Sequence, residues 1–211
     1  LISGLLASSG HGLAIPKKDG FFDSSLVSIA ENAGLQINGA HDAGVDVTLT
    51  EAIVEMAYAR CPQLRLSAIL SQDKNKLRQM ARSAPFFITV SYGKKRGPFV
   101  VPQVLIGQSP IISNQDLAIK LDRMPETVGS AENLNLDQQN FSENEIVEML
   151  TKFKANAGTT YVFPGKVMDL LVSKRDQESF AKIGKQIKEN ESLCRLCREI
   201  TLTKHRRFSK S

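Results

Sequence analysis

At 211 residues, with 42% hydrophobic and 23% charged positions, the chain can bury the core of one ordinary domain or two small ones, and it is too apolar to be disordered. No apolar run approaches the roughly 20 residues needed to cross a bilayer, so no transmembrane segment is expected. Three cysteines are too few for a disulfide framework, and the odd count points to an intracellular, reducing compartment such as the cytoplasm or an organelle interior.

A first residue of Leu1 is expected of a processed or trimmed product, through presequence removal or polyprotein cleavage. Residues 1–10 lack the basic start and long apolar stretch of an intact signal peptide. Residues 1–47 are rich in Gly and Ser, with a short helix predicted over 24–33. Phe21, Phe22, Leu26 and Ile29 form its apolar side and Gly34 its stop. Thr48-Leu49-Thr50-Glu51 has the capping-box pattern. The helix it opens carries Leu49, Ala52, Ile53, Met56 and Ala57 at helical spacing toward the core, until Pro62 ends it.

Leu64, Leu66, Ala68 and Leu70 alternate as in a strand, and a polar helix follows over 74–84 with Leu77, Met80 and Ala81 inward. Residues 86–92 are dense in aromatic and β-branched types, and residues 99–106 return as a second strand after Gly93-Lys94-Lys95-Arg96-Gly97. Pro102 cannot donate to a ladder, so the return strand is predicted to be an edge or to carry a bulge.

A short capped helix is expected over 113–123, then a linker or long loop over 125–141. Ser142-Glu143-Asn144-Glu145 repeats the capping box and opens a helix with Ile146, Met149, Leu150 and Phe153 on one face, ending at 156–158. Residues 161–165 form a short strand or extended turn, 167–172 a helix, and 180–200 one long helix lined by Phe180, Ile183, Ile187, Cys194 and Cys197. The fold class is α+β: an antiparallel, hairpin-containing sheet with strands within 64–106, helices before and after it, and a long basic C-terminal helix. The expected division is an α+β domain over 1–124 and a helical region over 142–211, with a single domain overall as the alternative.

The charge is lopsided. From Lys182 to Lys210 nine basic residues meet three acidic ones, whereas the first 181 residues are close to neutral. Such a basic end can steer a polyanion. At the hairpin tip, Lys94, Lys95 and Arg96 can grip phosphate, with Tyr92 and Phe99 near enough to stack on unpaired bases. Lys74, Lys76, Arg78 and Arg82 form a further basic cluster. If the tip and the terminal helix share a face, about ten cations converge there.

Other constellations admit plainer readings. Cys194 and Cys197, with His205 and either Cys61 or His41, offer zinc ligands, but cysteines three apart on a helix also suit core packing. His41-Asp42-Ala43-Gly44-Val45-Asp46, with His11 upstream, offers a general base and carboxylates, yet Asp and Gly are ordinary turn residues. Cys61 beside Pro62 is expected to be a small buried side chain rather than a nucleophile. Arg206-Arg207-Phe208-Ser209 resembles a basophilic kinase site. No P-loop, dinucleotide-binding glycine motif, His-Glu-x-x-His or Gly-x-Ser-x-Gly is present.

The expectation is therefore a non-enzymatic structural component of a ribonucleoprotein or of a viral nucleocapsid- or matrix-like particle. Its partners are nucleic acid, RNA in preference to DNA, and other protein subunits, held through Lys94, Lys95, Arg96, Lys185, Lys188, Arg195, Arg198, Lys204, Arg206 and Arg207. No catalytic residue, metal or cofactor is assigned. The alternatives are a small enzyme using His41, Asp42 and Asp46, and a protein adaptor that docks through the basic C-terminal helix.

Overall fold

The chain opens with a short helix α1 (Ile2–Leu6) and a small hairpin of β1 (Lys17–Lys18) and β2 (Phe21–Phe22). The hairpin follows from Asp19-Gly20, which adopt φ 53° and 79°, because a two-residue loop of matching twist requires positive φ at both positions. Helix α2 (Leu26–Asn32) is capped by Ser25 and stopped at Gly34, as expected from the sequence. The computed structural model describes residues 1–37, 42–65, 73–124, 136, 140–154 and 160–208.

Helix α3 (Ala43–Arg60) starts five residues before the Thr48 box. Asp42 is its N-cap, with Oδ1 accepting from the backbone of Gly44 at 2.8 Å, and the Thr48 hydroxyl donates to the Gly44 carbonyl inside the helix. Asp42 caps as well as Thr48 would, and using it adds another turn of backbone hydrogen bonds. Leu49 and Ala57 face inward, while Val47 and Val54 are exposed. The alternating stretch at 64–70 fails at its start, since residues 63–65 are helical; residues 66–72 lie outside the described ones.

Helix α4 (Lys74–Ser83) precedes a five-stranded antiparallel sheet in the order β6-β5-β4-β3-β7. Its strands are β3 (Phe87–Gly93), β4 (Gly97–Gln108), β5 (Asp116–Lys120), β6 (Leu150–Phe153) and β7 (Thr160–Val162). The antiparallel α+β class stands, but the strands reach well beyond residue 106. Residues 116–120 were expected to be helical, and they form an interior strand because β4 and β6 pair with them on both sides. Residues 150–153, expected to continue a helix, are the edge strand β6; the capping box at Ser142 and Glu145 forms, but α5 (Glu143–Met149) stops at Met149.

β4 is central rather than an edge. Pro102 is accommodated because only Ile88 of β3 faces it, and pairing with β5 begins one residue later at Gln103. The ladder does shift, but between Leu105 and Gly107 rather than at Pro102, whose pairing with Ile88 is regular.

The period of two sorts side chains onto two buried faces. Ile88, Val90, Val104, Ile106, Leu117, Ile119 and Val162 join the larger core, which also holds Leu136, Ile146, Ile187 and Cys197. Phe87, Leu105, Ala118, Phe153 and Tyr161 pack on the other side with Leu77 and Ala81 of α4. There the Phe153 and Tyr161 rings lie 4.7 Å apart and Phe87 meets Phe153 edge-on.

After α6 (Lys166–Leu171), the expected single long helix is two, α7 (Lys174–Glu189) and α8 (Glu191–Phe208). Asn190 breaks the run, and its Oδ1 accepts from the Leu193 backbone at 2.8 Å, which caps α8. Gly184 lets α7 press onto the sheet, since a Cβ there would lie 2.1 Å from the Pro85 carbonyl oxygen.

Candidate nucleic-acid interface

The basic clusters singled out from the sequence fall into three separate places. The first is the turn between β3 and β4, where Lys94, Lys95 and Arg96 are exposed. The Arg96 guanidinium lies over the Phe99 ring, 4.3 Å from its centroid, and borders a cleft of about 400 Å³ lined by Leu5, Ile15, Phe22 and Pro98. The β1–β2 hairpin docks on this turn. Phe22 donates its backbone N–H to the Lys94 carbonyl at 2.7 Å, the Tyr92 hydroxyl bonds the Phe22 carbonyl, and Phe22 packs on Gly97. Lys17 and Lys18 are thereby brought beside the tip, with Lys17 Nζ 4.7 Å from the Phe22 ring centroid. The sequence reading missed these two lysines, although Asp19-Gly20 between Lys18 and Phe21 is a strong hairpin signal.

The second place is the α4 face. Period two turns Asp116 toward α4, where it is fully buried. Arg78 Nε reaches its Oδ2 at 2.5 Å, and Arg82 its Oδ1 at 3.2 Å. Arginines four apart share one helix face and clamp the carboxylate. Asp116 offsets one of these two positive charges, and half of the Arg82 side chain stays in solvent.

The third place is the C-terminal pair of helices. A groove of about 550 Å³ runs between α4 and α7, lined by Pro85 and Ala181 with Lys182, Lys185, Lys188 and Glu189. Lys188 is anchored, its Nζ donating to the carbonyls of Arg82 at 2.7 Å and Ala84 at 2.5 Å, and burial lowers its pKa. Lys185 is exposed, 4.0 Å from Glu189. On α8, Arg195, Arg198 and Arg206 are exposed and Lys204 is half-buried; nothing is described of the Arg207 side chain, and Ser209 lies outside the described residues.

Tip and terminal helix do not share a site. Arg198 lies against Gly107, whereas the tip ends at Gly97. Ten strand residues separate them, roughly 30 Å at about 3.3 Å each.

Cys194 and Cys197 point into the core. Burial raises the pKa of the first thiol and pushes the second up to about 12, so both stay protonated and unreactive. His205 is exposed, away from them. Among the described residues no group of three or more His, Cys, Asp or Glu is placed to hold a metal. Cys61 is buried beside Gln63. Asp46 sits half-buried in the first turn of α3, and its carboxylate has no hydrogen bond or ion pair among the described residues; His41 lies outside them.

No family model matches the sequence, and no curated protein does. The fold, however, is found among solved structures. It is similar to Escherichia coli exonuclease I in complex with a dT13 oligonucleotide, with a TM-score of 0.62 and 16% identity over 95% of this chain and 46% of that one. The dA16 complex of the same enzyme gives 0.61 and 16% over 96% and 46%. An exonuclease I/SSB-Ct complex gives 0.60 and 17% over 96% and 46%. The chain thus spans less than half the length of the exonuclease chains it matches.

This likeness corrects the expectation of a non-enzymatic structural component of a ribonucleoprotein or viral particle, because the fold is one found in a nucleic-acid-processing enzyme. It also leaves the preference for RNA without support, since the oligonucleotides named in those complexes are deoxynucleotides. Among the described residues no helix is long and apolar enough to cross a membrane.

Proposed function

We propose that this chain is part of an exonuclease I-like enzyme and contributes to holding single-stranded DNA during phosphodiester hydrolysis. The observation that carries the reading is the match of nearly the whole chain to the fold of exonuclease I in complexes with dT13 and dA16. Homopolymers of that kind cannot pair with themselves, so the ligand class is the single strand. Such strands bind to cations that neutralise phosphate and to flat side chains that accept bases. The tip at Lys94, Lys95 and Arg96 supplies the cations on this chain, and Lys185, Arg195, Arg198, Lys204, Arg206 and Arg207 are proposed as further, separate phosphate contacts. Lys188 serves instead as a cap on the α4 carbonyls.

Within the chain, His41 and Asp46 are the residues best suited to hydrolysis: an imidazole can take the proton of an attacking water, and a carboxylate can orient it. Asp42 is occupied as the α3 cap. The described residues hold no cluster fit for a metal, so no step is assigned to one. Hydrolysis would form a bond from water oxygen to phosphorus and break the bond to the departing nucleoside oxygen, releasing a nucleotide. A protein partner is proposed on the same footing, since one similar structure is an SSB-Ct complex and the lysine-rimmed, apolar-floored groove at α7 suits an acidic segment.

The test is degradation of an end-labelled dT13 strand by the protein with Mg²⁺ supplied, followed as product ladders, against Asp46→Ala and His41→Ala. Loss of product in both variants with an unchanged circular dichroism spectrum supports the reading. Neither binding nor degradation of DNA by the wild type ends it.

A further inference from the structure

In a two-stranded hairpin, residues that pair across the strands place their side chains on the same face. Lys17 pairs with Phe22, and Lys18 with Phe21. The first pair turns inward, with Phe22 packed on Gly97 and covered by Lys17. The second pair is left on the opposite face, where Lys18 is exposed and the Phe21 ring is 43% exposed. A large aromatic ring left in water beside a lysine has no role in this core. Phe22 holds the hairpin against the Lys94 carbonyl, so Lys94 stands one residue from Phe21, with Lys95 next to it. Among the described residues Lys94 and Lys95 form no ion pair, and Lys18 feels the Asp23 carboxylate without forming a salt bridge to it. Asp19 lies in the turn, and Asp23 is held ionised by hydrogen bonds from Ser28 and Ser25. Lys17 and Arg96 add their charge at the margin, so the surface stays positive.

We infer that Lys18, Phe21, Lys94 and Lys95 form one composite subsite for single-stranded DNA, in which the lysines hold phosphates and Phe21 stacks on a base. The inference rests on the proposed DNA-binding reading and adds to it a second hairpin and a base platform. A repeating ligand that alternates anion and flat ring at regular spacing matches cations set beside one exposed ring. Stacking on an exposed aromatic also requires an unstacked base, which only a single strand presents.

The experiment is fluorescence anisotropy on the whole chain with labelled dT13 and with a 13-unit abasic strand of the same charge, across a salt series. Phe21→Ala is expected to weaken dT13 binding about 5- to 100-fold and leave the abasic strand unchanged, and Phe21→Trp to restore dT13 binding. Lys18→Glu with Lys95→Glu is expected to weaken both strands and flatten the salt dependence. Equal loss of both strands in Phe21→Ala would make the ring a mere support for the hairpin and overturn the inference. So would wild-type affinity in Phe21→Ala, and in both cases the DNA-binding reading survives. If the wild type binds neither strand, both fall.

Discussion

Arg78 and Arg82 on α4 and Lys94 and Lys95 at the β3–β4 turn look alike as sequence, each a short basic cluster beside apolar residues. The fold treats them in opposite ways. The arginines are tied to fully buried Asp116, Arg78 half-buried and Arg82 with half of its side chain in solvent. The lysines stay in solvent, joined there by Lys18 and Phe21 from another hairpin. Charge counted along a chain is therefore an upper bound on the charge available to a ligand. What remains is set by where buried carboxylates sit.

Four changes would break or sharpen this contrast. Asp116→Ala removes the one carboxylate that holds both guanidinium groups, and should cost about 1–3 kcal/mol of stability in urea unfolding. If the contrast holds, it leaves DNA affinity unchanged under native conditions; a large gain in affinity would show that the arginines are a latent DNA site. Replacing Lys94 and Lys95 together by Ala should do the reverse. Unfolding midpoints should stay within about 0.5 kcal/mol, since surface changes rarely move them, while the log–log salt slope for dT13 binding falls by about 0.7 per lost phosphate contact.

Within the interior, Ser142→Ala removes a formed capping box and should cost about 1 kcal/mol, measured in the same urea series, with no effect on binding. The last change concerns Cys197. Burial raises its pKa to about 12 from an ordinary value of 9.0, so folding favours the protonated thiol. Its contribution is complete below pH 9 and is lost as pH rises toward 12, because the unfolded chain ionises first. Urea midpoints at pH 8 and 10.5 should differ less in Cys197→Ala than in wild type, and a thiol reagent at pH 8 should leave Cys197 unmodified until denaturant is added.

Much of the local structure was legible where a single short-range cause decides it. Ser142 and Glu145 form the box their spacing implies, Gly34 stops α2, and the aromatic and β-branched run at 86–92 pairs with the strand that follows it. Thr48 misled because Asp42 offered an earlier cap of equal quality, and Asn190 split a helix whose apolar stripe ran on regardless. The strand at 116–120 was hidden for another reason. Its five residues suit helix or strand about equally, and only pairing with β4 and β6 selects the strand. For the interface, the Lys94–Arg96 tip could be read from its turn, but Lys17, Lys18 and Phe21 could not be joined to it, since 70 residues of sequence separate Phe22 from Tyr92, whose hydroxyl bonds it.

By itself the sequence determined the α+β class, the extents of α2, α4 and α6 and the basic hairpin tip, because capping, turn chemistry and side-chain period act within a few residues. Tertiary structure alone decided that Arg78 and Arg82 are tied to Asp116, that tip and terminal helix lie at opposite ends of β4, and that Lys18 and Phe21 join the tip. Those outcomes depend on which distant groups a strand or helix meets when it packs, and no local free energy contains that information.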